Sequence, residues 1–162
     1  MSILLNLRSS LLLGAAITSA LSAGIFFAFS TFVMKALAQQ VPSGGISAMQ
    51  SINITVINPW FVAVFFSPII LGGILLLSLL VETDSNLLIY GGVATLVYLI
   101  GTVGVTFGGN IPLNDALAIV SPSSSEGLTL WANYVNHWTD WNHVRTLAGV
   151  VAAVIFSLAL KL

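Results

Sequence analysis

The sequence predicts an all-α membrane fold, a four-helix bundle with short extramembrane or interfacial helices, and three observations carry that prediction. Of 162 residues, 57% are hydrophobic and 6% charged, with a mean hydropathy of +1.05, whereas a soluble domain of this length must show water far more polar surface. Four apolar runs approach the roughly 20 residues needed to cross a hydrocarbon core. Polar or turn-forming segments separate those runs.

The first run, residues 11–33, holds no charge and is bracketed by Arg8 and Lys35, whose long side chains can reach the two interfaces. TSALSA within it resembles a signal-peptide cleavage site, but the apolar run continues past it, so a retained span is expected. The second, residues 60–81, follows Asn58-Pro59, a helix start signal because proline is tolerated in a first turn. The third covers residues 87–107 and the fourth residues 144–162. The fourth has a short apolar stretch and crosses convincingly only if the segment before it is a continuous helix.

The connections differ in kind. VETDSN (81–86) is short enough to make spans two and three antiparallel neighbours. Between spans one and two, PSGG marks a turn and ISAMQSINITVI reads as a short amphipathic helix. Residues 108–143 form a long connection between spans three and four, including SPSSSEG, and connections longer than about 15 residues tend to be functional. Four crossings place both termini on one side. Arg8 and Lys161 balance Lys35 and Arg145, so the positive-inside rule sets no orientation.

A single domain, 1–162, is expected, and a multi-pass integral protein of the membrane (the cell membrane in a bacterium) follows from the spans. The formal net charge of −1 leaves no basic patch for phosphates, which excludes nucleic acid as a partner. No cysteine is present, so there is no disulfide framework and no thiolate metal site. The lipid bilayer is the one partner composition requires; the oligomeric state stays open.

Two polar stripes stand out on helical projection. In span three, Thr95, Tyr98, Thr102 and Thr106 fall within an arc of about 80°. The threonines read as helix glue or carbonyl-bonding groups, and Tyr98 as a phenol offered to a cavity. In WANYVNHWTDWNHVRT (131–146), which holds three of the four tryptophans and both histidines, an unbroken helix gathers Trp131, Tyr134, Trp138, Trp141 and Arg145 within about 80°, with Asn142 beside them. Three readings stand: an interfacial aromatic belt, a flat wall that stacks on an aromatic ligand while Arg145 and Asn142 donate to its oxygens, or a haem or metal site through His137 or His143 with a remote partner. Arg145 lies near the membrane boundary, where a charge needs a partner. Asp115, Asp140, Asn110 and Asn114 are the candidates.

The segments GIFFAFSTFVMKAL (24–37), AMQSIN (48–53), INPWF (57–61), NIPLN (110–114) and WTDWNHVRT (138–146), taken in order, resemble the anthrone oxygenase-like family over almost the whole chain. The resemblance implies a four-helix integral membrane protein. It also implies, from fungal members that oxidise an anthrone to an anthraquinone with O2 and no recognised cofactor, a possible oxidoreductase activity. The positions it carries over are Asn53, Asn58, Asn110, Pro112, Asn114, Trp138, Trp141, Asn142, His143 and Arg145.

The expected chemistry is proton loss from an activated methylene, giving an anion that reduces O2 without a protein redox centre. His143 is the expected base by intrinsic pKa, with Asp140 fixing its tautomer. Arg145 and Asn142 are the expected oxyanion donors. Trp138, Trp141 and Tyr98 are expected as walls, with Asn53, Asn58, Asn110 and Asn114 as further binding residues. No cofactor and no metal is expected. His143 faces away from the Arg145 stripe on a regular helix, so this arrangement needs a break near Thr139 or Asp140, for which either residue could serve as N-cap. The alternative is a non-enzymatic membrane subunit or a binder of a small hydrophobic ligand such as a quinone or pigment.

Overall fold

The computed structural model describes residues 2–81 and 84–162, and among these no strand occurs. Four helices are long and apolar enough to cross a membrane: α1 (Leu4–Ala38), α3 (Pro59–Ser78), α4 (Ser85–Ala118) and α5 (Ser125–Ala159). A shorter helix, α2 (Pro42–Thr55), precedes α3. Around the bundle, α1 and α4 each pack against both α3 and α5.

Each start has a local cause. Asn58 caps α3, its Oδ1 accepting from the N–H groups of Trp60 and Phe61 at 3.1 Å each, with Pro59 in the first turn. Asp84 caps α4 through Leu87 N at 3.0 Å, and Ser124 caps α5 through Gly127 N at 3.0 Å; such caps satisfy amide donors that a helix leaves unpaired. Pro68 inside α3 has no N–H for the Val64 carbonyl. Ser22 Oγ of α1 donates to that carbonyl instead, at 3.5 Å.

Helix lengths decide where a cavity can form. The 20 residues of α3 rise about 30 Å, one hydrocarbon thickness, while the 35 residues of α5 rise about 52 Å. The other three rods therefore overshoot α3 beyond its first residue. There α2 closes the gap, with Ile46 and Met49 packed on Met34 of α1, Leu117 of α4 and Trp131 of α5 in a separate apolar core. Gln50 Nε2 fastens it by donating to the carbonyls of Leu117 (2.8 Å) and Val120 (3.0 Å) at the end of α4.

The long connection expected over residues 108–143 does not exist: α4 continues to Ala118 and α5 begins at Ser125. Apolar-run length missed this because the overshooting turns face a protein cap and carry polar residues. Arg8 also departs from expectation. It is buried, its Nε donating to Ser78 Oγ at 3.2 Å and its Nη2 to Ser78 O at 2.9 Å, so it serves the carboxyl end of α3, where a cation is favourable.

Three stretches wind more loosely than an α-helix, as π-helix: Phe29–Val33 in α1, and Leu99–Gly104 and Thr106–Asn110 in α4. Ser30, Thr102, Thr106 and Asn110 lie in them, and each bonds a residue of α5. Glycine permits the close approach of α4 to α5. A Cβ on Gly101 would lie 2.5 Å from the Ala148 Cβ, and one on Gly109 would lie 2.7 Å from the Trp141 ring.

Candidate functional site

The 35 residues of α5 run without a break, and Thr139 Oγ1 donates to Val135 O at 2.6 Å, a bond of a helix interior. Neither Thr139 nor Asp140 is a cap. The continuous stripe holds, with Trp131, Tyr134, Trp138, Asn142 and Arg145 all buried. The broken-helix arrangement that would have turned His143 toward Arg145 does not.

Where α3 starts late, a cavity of about 320 Å³ opens under α2, within the size range of small-molecule sites. Phe26 and Phe29 of α1, Phe61 and Phe65 of α3, and Trp138 of α5 supply aromatic walls. Its polar lining consists of Asn53 from α2, Thr106 and Asn114 from α4, and Arg145 from α5. Ile25, Val62 and Phe107 line it too and are exposed on the bundle's outer face, so the cavity reaches the lateral surface at the depth of the first turns of α3.

Arg145 is 5% exposed. Its Cζ lies 4.3 Å from the Phe26 ring centre and 5.0 Å from that of Trp138, which holds the cation between two π faces. Nη2 donates to Asn142 Oδ1 at 2.6 Å and Nη1 to Thr106 Oγ1 at 3.3 Å. Nε is buried and meets no acceptor among the described residues. The acids and amides expected as its partners, Asp115, Asp140, Asn110 and Asn114, are replaced by these two neutral groups one turn away on α5 and across on α4.

Asn142 is fully buried and locked from the other side. Its Nδ2 donates to Phe26 O and to Ser30 Oγ, both at 2.7 Å, which commits its oxygen to the guanidinium. Thr146 extends the network, bonding Asn142 O at 2.9 Å and Ser30 Oγ at 3.2 Å. Asn114 is similarly committed: its Oδ1 accepts from Tyr134 OH and Trp138 Nε1, both at 2.8 Å. Trp138 is thereby fixed at its edge while Arg145 sits over its face.

Several expected site residues lie elsewhere. His143 is exposed and does not line the cavity, because it sits well round the helix from Arg145; Asp140 is exposed as well. Tyr98 is fully buried and donates to Phe65 O at 3.0 Å, about 12 Å along α4 from Thr106, so it supports Phe65 from below the cavity. Trp141 is 43% exposed and lies over Gly109, since it occupies the margin of the stripe. Asn58 is the α3 cap. Asn110 is buried, its Nδ2 donating to Trp138 O at 3.0 Å, with Oδ1 unpartnered among the described residues.

The aromatic-belt reading fails for Trp131, Tyr134 and Trp138, which are buried and stack on one another, at 5.5 Å for the first pair and 6.4 Å for the second. Only Trp138 of the three faces the cavity. His137 is exposed, its Nδ1 2.9 Å from Asn133 O. Among the described residues no three His, Cys, Asp or Glu gather as a metal-ligand set. Sequence reasoning missed Ser30, Thr146 and the α1 and α3 phenylalanines of the wall; the sequence signal for Ser30, Phe26, Phe29, Phe61 and Thr146 is their place in the 24–37, 57–61 and 138–146 segments, and Phe65 lies outside them.

A family model described as anthrone oxygenase matches residues 60–155, a stretch that includes Thr106, Asn114, Trp138, Asn142 and Arg145. No curated protein and no solved structure matches significantly. With well over half of its length matched, and with the four membrane-crossing helices described above, the chain belongs to the anthrone oxygenase family.

Proposed function

We propose that this protein is a cofactor-independent oxygenase that binds a flat anthrone-like or other polycyclic phenolic substrate in the α2-capped cavity and uses O2 to oxidise it. The observation that carries the reading is Arg145. It is a buried guanidinium facing an aromatic-walled cavity, with only neutral hydrogen-bond partners and with Nε unpartnered among the described residues. A cation in a membrane boundary is costly, about 2.5 to 3.5 kcal/mol at the centre, and an anionic ligand would offset that cost.

In this reading the substrate's carbonyl oxygen meets Arg145, and its rings lie among Phe26, Phe61, Phe65 and Trp138. Loss of a methylene proton leaves the electron pair delocalised onto that oxygen, where the guanidinium stabilises the developing charge. The anion passes one electron to O2, and the resulting radicals join as a C–O bond. The peroxide anion so formed takes up a proton from solvent, and the hydroperoxide then loses water to give the ketone. The balance is one CH2 and one O2 consumed for one C=O and one H2O. The protein's part is to hold the anion flat and partly desolvated.

The test is turnover of anthrone to anthraquinone, followed by absorbance and O2 uptake, with protein in lipid nanodiscs. Wild type should form quinone faster than empty nanodiscs, and Arg145→Lys should lose most of that excess because a point charge replaces a planar fork. An Arg145→Ala protein as fast as wild type would contradict the assignment.

One observation favours a second reading, a binder of a quinone or pigment. Among the described residues the cavity lining includes no imidazole or carboxylate, so none of them stands as a base against the ligand. Ligand retention without turnover in the same nanodisc experiment would select it.

A further inference from the structure

The proton that leaves the substrate needs an acceptor, and the cavity wall offers amides, a hydroxyl and a guanidinium only. A groove lies beside it between α2 and α4, lined by Gln50, Asn53 and Ile54 on one side and Ile111, Asn114 and Asp115 on the other. Asn53, Ile57, Ile111 and Asn114 line both spaces. The two spaces therefore adjoin at a shared waist of side chains, two of them amides. Asp115 is exposed and is the groove lining's one carboxylate.

The waist is oriented as well as polar. Asn114 Oδ1 is taken by the Tyr134 hydroxyl and the Trp138 indole N–H. Its amide nitrogen is therefore turned away from those two donors. Around Asp115, α2 has no ionisable residue, and Tyr134 is the titratable group that α5 brings to Asn114. Arg145 lies beyond Trp138.

We propose that Asp115 is the terminal proton acceptor of the site, serving the cavity through solvent in the groove. This rests on the oxygenase reading. The substrate C–H bond breaks, the electron pair stays in the ring system as the oxyanion held by Arg145, and the proton passes by Asn53 and Asn114 to the Asp115 carboxylate and on to bulk water. Asp115 is a positioning residue of the proton path and does not touch substrate.

The experiment compares wild type, Asp115→Asn and Asp115→Glu, all full length in nanodiscs. Two readouts are used: proton release, by stopped flow with a pH indicator, on binding a polyhydroxyanthraquinone probe that changes colour as its anion; and the pH dependence of anthrone turnover. Asp115→Asn should slow proton release by about tenfold or more, a small share of what a positioned base supplies. Equilibrium probe affinity should stay within about twofold, as for other surface changes. Asp115→Glu and added formate should restore the rate, and the pH dependence of turnover should change in Asp115→Asn and not in Asp115→Glu. Proton release at the wild-type rate in Asp115→Asn overturns the proposal while leaving the oxygenase reading intact. Wild type that binds the probe anion without oxidising anthrone removes the oxygenase reading, and the release rates still decide on Asp115. Wild type that does not bind the probe as its anion overturns both.

Discussion

Asn142 orients Arg145: the amide spends both N–H donors on Phe26 O and Ser30 Oγ of α1, so its oxygen accepts from Nη2 at 2.6 Å. One amide thus ties the wall-forming helix α1 to the cation of α5. Asn142→Leu should remove all three bonds and take their partner from the Arg145 Nη2 donor and from the Phe26 O and Ser30 Oγ acceptors, at about 1 to 3 kcal/mol for each buried group stranded. A lowered Tm in detergent, together with weakened ligand binding, is the expected outcome.

Arg145→Ala should reduce turnover by about 10²- to 10³-fold, the usual effect of removing one preorganised oxyanion donor. Because Phe26 and Trp138 lose a cation–π partner worth about 0.5 to 2 kcal/mol each, thermal stability should be measured on the same samples. A fall in turnover without a comparable fall in Tm locates the effect in the site.

His143→Gln should leave turnover within about twofold of wild type, as for an exposed residue outside the cavity. Steady-state rates across pH check this. A large loss would put the imidazole back into the chemistry and would require α5 to break where it is now continuous.

Gly101→Val should push α4 away from α5, since even a Cβ there would meet Ala148 at 2.5 Å. Overpacking of this kind typically costs about 1 to 3 kcal/mol. Thr102 and Thr106 follow Gly101 on α4 and bond Arg145, so ligand affinity should fall along with Tm.

Much of the architecture is legible in residue pattern. Asn58-Pro59 announces α3, the apolar runs announce four crossings, and the 3-4 spacing of Trp131, Tyr134, Trp138, Trp141 and Arg145, with Asn142 beside them, announces one stripe, which the structure buries except at Trp141. Helix ends were not legible by hydropathy, because the overshooting turns of α4 and α5 bury polar and aromatic residues against α2. The π-helical stretches were not legible either. Thr106, in one of them, reaches Arg145, while Tyr98, on the same projected stripe, lies two turns along α4 in the core below. Intrinsic pKa singled out His143, but geometry decides, and the residue's angular position on α5 turns it outward. The cavity itself depends on the short length of α3 relative to its neighbours, a three-dimensional consequence that local spacing does not encode.

The most direct measurement is an absorbance titration of a polyhydroxyanthraquinone into wild-type and Arg145→Ala protein in nanodiscs, at a pH where the free compound is neutral. A buried guanidinium that awaits an oxyanion predicts the red-shifted anion spectrum, saturating with protein, in wild type and its loss in Arg145→Ala. An identical neutral spectrum with both proteins would contradict it.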